Sequence, residues 1–305
     1  MRIKILFFGI IFWGAQVFAQ QDPQFTQFMF FNLSNNPGYA GTRDSLLNAT
    51  TAYRNQWGGF PGNPKTFLFC ADAPIKVMHG GVGLKFIDDK LGNFHFDRFG
   101  LSYAWHKRIK ETGLLGVGIE AELVRLAATY TDWLAPDGTN GINDPGIPTQ
   151  NATRYSGNFA LGAYYRNYRW NVGFSAGHLL PIVYNLSASS KYREARHYYL
   201  NTGYNFYFGA RSKVVPSILI KSDAAVTTFD LNTIVYWDRW FWTGASYRLQ
   251  DAVAFMAGAA LKISKGSLIK IGYAYDLGIS DLKAFHNNTH EVFLNYSLKI
   301  RKKPV

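Results

Sequence analysis

From residue 46 onward, polar and apolar positions alternate along most of the chain. In "SLIKIGYAYDLGIS" (267–280), Ile269, Ile271, Tyr273 and Tyr275 share one parity, and Lys270, Gly272, Ala274 and Asp276 share the other. Successive strand side chains point to opposite faces, so this period of two predicts a strand. The same pattern predicts fourteen strands, over 46–57, 64–72, 79–88, 94–108, 112–124, 154–166, 169–178, 196–209, 213–221, 226–237, 240–249, 252–262, 267–277 and 289–300. No helical period persists in this region.

The makeup of the two faces decides which one is inside. Phe99, Leu101, Tyr103 and Trp105 oppose Gly100, Ser102, Ala104 and His106; Leu115, Val117, Ile119 and Leu123 oppose Gly116, Gly118, Glu120 and Glu122. A soluble sandwich shows Lys, Glu and Thr on its outward face. Here the second face is Gly, Ala, Ser and Asn with sparse charge, which suits a crowded, wet barrel interior, and the greasy face then points into lipid. The expected fold is all-β: an outer-membrane antiparallel β-barrel of about fourteen strands. Closure pairs every backbone group and leaves no edge in the bilayer.

The connections agree. Bacterial barrels alternate short periplasmic turns with longer outer loops. From the fourth connection onward the even ones are short, and the long ones (125–153, 179–195 and 278–288) are all odd. This parity puts the N-terminal side in the periplasm, and an even strand count returns the C-terminus there.

Composition adds an address and removes some functions. "MRIKILFFGIIFWGAQVFA" (1–19) has a basic start, a short apolar run and small residues at a cleavage position, as a signal peptide does. Losing Arg2 and Lys4 lowers the formal charge from +12 to +10. The apolar stretch 252–261 is half the length of a spanning helix. Cys70, the sole cysteine, rules out an internal disulfide framework. The basic residues are scattered except at the tail, and an exported chain has no nucleic acid to bind, so none is expected.

Two motifs imitate catalytic ones. "GFSAG" (173–177) matches a nucleophile elbow, with Ser175 as nucleophile and His178 nearby, but that elbow needs a following helix and Pro181 stands there instead. "GVGIEA" (116–121) imitates a dinucleotide fingerprint from inside a strand. The loop "DGTNGINDPG" (137–146) lacks the closing Glu of a calcium loop. The histidines are dispersed, with His286 and His290 the one pair at close spacing. No catalytic residue, cofactor or metal is expected.

"QDPQFTQFMFFNLSNNPGYAGTRDS", "YRNQWGGFPGNPKT", "GGVGLKFIDDKLG" (80–92), "ASYRLQDAVAFMAG" (245–258) and "IKIGYAYDLGISDL" (269–282) together resemble the PorP/SprF family of type IX secretion system membrane proteins, over nearly the whole mature chain. The resemblance implies a non-enzymatic outer-membrane component, of Bacteroidetes type, that supports secretion or surface anchoring of adhesin-type cargo and is linked to gliding motility. Its implied partners are that cargo, periplasmic components of the machine, or both. A serine hydrolase using Ser175 and a passive pore are the alternatives. The expected organisation is a signal peptide (1–19), a periplasmic or luminal segment (20–45) and a transmembrane barrel (46–305).

Parity puts Asn48, Thr50, Ala52, Arg54 and Gln56 on the polar face of the first strand, and Gly244, Ser246 and Arg248 on that of the eleventh. Both arginines then lie near the outer mouth. They either pair with luminal acids such as Glu120, Glu122 or Asp276, or join Trp57 in a docking surface for a secreted partner.

Overall fold

In the computed structural model, the described residues are 22–43, 46–129, 150–186, 191–280 and 288–300. The address segment 1–19, the Gly-rich stretch 137–146, His286 and the tail 301–305 lie outside them. Fourteen antiparallel strands close into one barrel: β1 (Leu46–Asn55), β2 (Lys65–Ile75), β3 (Gly80–Leu91), β4 (Phe94–Ile109), β5 (Gly113–Ala128), β6 (Ala152–Arg166), β7 (Trp170–Gly177), β8 (His197–Tyr204), β9 (Ser212–Ser222), β10 (Thr227–Tyr236), β11 (Phe241–Arg248), β12 (Ala252–Ser264), β13 (Ser267–Gly278) and β14 (Thr289–Lys299). Phe206–Phe208 prolongs β8 past Asn205 and pairs with the same neighbour, β9. β1 closes on β14, from Leu46 opposite Lys299 to Asn55 opposite His290.

With Phe206–Phe208 counted in β8, the predicted strand ends fall within four residues of the observed ones. The largest gap is at the end of β5, which continues to Ala128. The physical reason is local. Val124, Leu126 and Ala128 face inward but are apolar, because they pack against a small inserted hairpin, Val183–Asn185 paired with Lys191–Arg193. With apolar residues on the inner face and Arg125 on the outer one, the alternation no longer follows the pattern of the rest of the strand.

Elsewhere the faces are as the parity requires. Leu101, Ile119, Leu123, Phe255, Ile271 and Tyr273 point outward and are exposed, whereas Ser102, Glu120, Glu122, Ala274 and Asp276 are buried. The exposed band is the surface that lipid covers. At the short-turn end it is fringed by Trp105, Tyr168, Trp170, Phe206, Trp237 and Trp240, an aromatic belt of the kind that sits at a membrane interface. Among the described residues, no helix is long and apolar enough to cross a membrane.

The lumen is filled by the chain itself. Residues 22–43 run through it, from Asp22 at the loop end to Arg43 at the turn end, in short helical turns over Phe28–Phe30, Asn32–Asn35 and Pro37–Tyr39. Phe25, Phe31, Leu33, Tyr39 and Ala40 form one buried core with Leu68, Ile87, Tyr164, Trp242 and Phe293 of the wall. Phe30 stacks on Phe293 at 4.5 Å, and Phe31 meets the same ring edge-on at 5.7 Å. Each such side chain removed from water contributes about 1.5–3 kcal/mol.

This packing corrects the reason expected for the small inward residues. On β5 the glycines are small because the luminal backbone lies directly on them. A Cβ on Gly118 would come within 2.5 Å of the Pro37 carbonyl oxygen, and one on Gly116 would collide with the Gly38 carbonyl. The dinucleotide-like "GVGIEA" is therefore the seat of Pro37–Gly38.

Candidate functional site

Two buried charge networks at the loop end grip the start of the luminal segment. In the first, Glu291 of β14 accepts hydrogen bonds from the backbone N–H groups of Thr26 (2.8 Å) and Gln27 (2.9 Å). Arg54 donates to Glu291 (2.9 Å), Asp276 (2.8 Å) and the Thr26 hydroxyl (3.0 Å), and that hydroxyl donates to Asp276 at 2.7 Å. Arg248 lies alongside, bonded to Asp230 at 2.6 Å and Asp251 at 3.1 Å and 4.0 Å from Asp276.

Arg54 and Arg248 therefore reside inside the wall, 2% and 4% exposed, with both terminal nitrogens of Arg54 and Nε and Nη1 of Arg248 engaged. A partner approaching the mouth would meet Trp57 before it met either arginine. Of the acids expected opposite them, Asp276 is the one they contact. Glu120 and Glu122 instead bind Lys85, at 2.7 and 3.2 Å. Glu291 was not among the expected acids; its even spacing from Phe293 and Asn295 on β14 was the available signal.

The second network surrounds Asp22. His178, immediately after β7, places Nε2 at 2.9 Å from Asp22 Oδ2, and Tyr199 of β8 donates its hydroxyl to the same oxygen. The Asp22 backbone N–H points at His197 Nε2, 3.4 Å away. Arg98 bonds Glu194 at 2.6 Å and lies 3.9 Å from Asp22. Burial by itself raises the Asp22 carboxyl, but His178, His197 and Arg98 outweigh it and hold the group well below the usual carboxylate range. Burial likewise depresses His178, and contact with Asp22 reverses this into a net upward shift.

Ser175 belongs to neither network. Its hydroxyl donates to the Asn35 carbonyl oxygen at 2.5 Å, and it is 1% exposed. His178 is occupied by Asp22 and Glu194, so the two members of the elbow-like motif serve different contacts. No dyad geometry joins them.

Above the networks opens a cavity of about 490 Å³, lined by Gln24, Trp57, Leu91, Phe94, Tyr192 and His197 among others. Trp57 sits at its rim with a positive φ of 54°, uncommon for a bulky residue. Its backbone N–H bonds Thr289 Oγ1 at 3.1 Å, and the next N–H bonds the Asn288 carbonyl at 3.3 Å, which hold the strained turn in place. A smaller cavity of about 190 Å³, containing Arg43, Lys213 and Lys270, lies at the turn end on the other side of the luminal segment.

The chain is similar in fold to solved outer-membrane barrels. The CymD monoaromatic hydrocarbon channel aligns with a TM-score of 0.53 at 10% identity, over 91% of this chain and 93% of that one. The toluene transporter TbuX of Ralstonia pickettii aligns with a TM-score of 0.50 at 12% identity, over 88% and 93%. At such identities the likeness is one of fold alone. No curated protein sequence matches the chain. A family model described as type IX secretion system membrane protein PorP/SprF matches residues 17–296.

Proposed function

Because the chain belongs to the PorP/SprF family of type IX secretion system membrane proteins, we propose that it is a non-enzymatic component of that system which supports secretion or surface anchoring of adhesin-type cargo, with a link to gliding motility. The observation that carries this reading beyond the family is the filled lumen. A barrel blocked by its own residues 22–43, with inward polar groups such as Glu291, Arg54, Asp276 and Asp72 holding them, is built as a platform and not as a passive pore. Cargo or machine components then meet it at its ends. The loop end, taken as external, offers the Trp57-lined cavity. The turn end, taken as periplasmic along with both termini, carries Lys107, Arg108, Lys110, Arg169, Arg211 and Arg239, a basic face suited to acidic surfaces.

Within this reading Arg54 serves partner binding indirectly, by fixing the luminal segment beneath Trp57, and Arg248 supports it from beside Asp276. The Ser175 hydrolase has no supporting contact. The deciding experiment is affinity purification of the native protein from its own cells, paired with a deletion strain. Co-purification of a secreted adhesin or of periplasmic secretion components, with loss of surface cargo on deletion, is the expected outcome. Purification of the barrel alone, with secretion unchanged by deletion, would overturn the reading.

A further inference from the structure

Three ligand-type atoms converge where the luminal segment meets the wall: a carboxylate oxygen of Asp22, Nε2 of His178 and Nε2 of His197, all within 4.8 Å of one another. We propose that Asp22, His178 and His197 form a binding site for a divalent transition-metal ion of the zinc class, which clips the luminal segment to the barrel.

The orientation of the two imidazoles is the first support. A metal-bound histidine usually directs its other ring nitrogen to a carboxylate or a backbone carbonyl, which fixes the tautomer and aims the free lone pair at the ion. Both rings have that arrangement. Nδ1 of His178 lies 3.3 Å from Glu194 Oε1, and Nδ1 of His197 lies 3.0 Å from the Ala195 carbonyl oxygen. Nε2 of His178 then faces the Asp22 carboxylate, while Nε2 of His197 accepts the Asp22 backbone N–H at 3.4 Å and would exchange that contact for the ion. Two imidazoles and one carboxylate make a donor set that suits zinc and its neighbours better than calcium or magnesium.

Charge is the second support. The ion-paired groups around Asp22 comprise two cations, Arg98 and Lys85, and four carboxylates, Asp22, Glu120, Glu122 and Glu194. The carboxylates thus outnumber the arginine and lysine by two, an excess that a divalent ion would offset in place of an imidazolium at His178. Asp89, Lys221 and Asp223 line the adjoining cavities but have their own partners, in Thr66, Asp230 and the Ala225–Val226 backbone respectively.

Geometry and access are compatible with this assignment. Ligand atoms around tetrahedral zinc lie roughly 3.3 Å apart, given bonds of about 2.0–2.2 Å. The 2.9 Å between Asp22 and His178 needs to open by only a few tenths of an ångström. Asp22 and His197 also line the 490 Å³ cavity, which gives an ion a route from the mouth and room for a water ligand. The Tyr199 hydroxyl, already on Asp22, is a second candidate for the remaining position.

The test uses the whole mature barrel, folded in detergent, stripped with a chelator and titrated with Zn²⁺ against a chromophoric competitor. One zinc per barrel is expected. Asp22→Asn, His178→Gln or His197→Gln should each weaken binding at least tenfold. Glu194→Gln, acting through His178, should weaken it by about ten- to a hundredfold. Heat-modifiable migration on gels reports whether each variant is folded. X-ray absorption of the zinc-loaded wild type needs no variant, and it should show two imidazole nitrogens. No zinc uptake, uptake indifferent to all three ligand substitutions, or a spectrum without imidazole ligands would overturn the assignment.

Discussion

Arg54 and Glu291, 237 positions apart in the chain, meet at 2.9 Å inside the barrel wall, and between them they hold Thr26 of the luminal segment. Glu291→Ala would leave the Arg54 charge half-satisfied and strip two luminal N–H groups of their acceptor. Breaking a buried pair from one side costs about 3–5 kcal/mol. The expected result is a lower urea midpoint for barrel unfolding and faster proteolysis of residues 22–43. Unchanged unfolding and protection would mean that this network is not what fastens the segment.

Charge reversal separates a structural role for the arginines from a docking role. Arg248→Glu would set a carboxylate against Asp230, at 2.6 Å from the present guanidinium, and near Asp276. Assembly into a heat-modifiable barrel should fail. If Arg248→Glu or Arg54→Glu assembles normally and loses only surface display of a partner, the arginines act directly in docking.

The Gly116 seat makes a steric prediction. Gly116→Val has no room beside the Gly38 carbonyl, and the wall there is a continuous strand, so the luminal segment must move. Planar bilayers should then record larger conductance than the wild type shows, with the barrel still folded. A Gly116→Val barrel as closed as the wild type would show that the segment does not block the lumen.

Ser175→Ala removes one hydrogen bond to the Asn35 carbonyl, worth about 1 kcal/mol. Folding and secretion should survive, and any ester hydrolysis by the preparation should be unaffected. Loss of hydrolysis in a folded Ser175→Ala barrel would bring the enzyme reading back.

The strands and their faces were legible in the sequence because strand geometry is local: a period of two is imposed residue by residue, whatever the partner strand. Thus Arg54, Ser175, Glu120 and Asp276 could be assigned to the inner face from parity alone, and the elbow-like "GFSAG" could be recognised as strand. What the inner face touches was decided only by tertiary structure. Thr26 finds Glu291 across 265 positions, and Asp22 finds His178 across 156. No local period encodes such pairings, so His178 looked like a neighbour of Ser175 when its chemistry belongs to Asp22. The glycines of β5 carry the same lesson. Smallness showed that something needed space there, but only the closed barrel shows that it is the backbone of Pro37–Gly38, because close packing is a property of two surfaces brought together and not of either sequence alone.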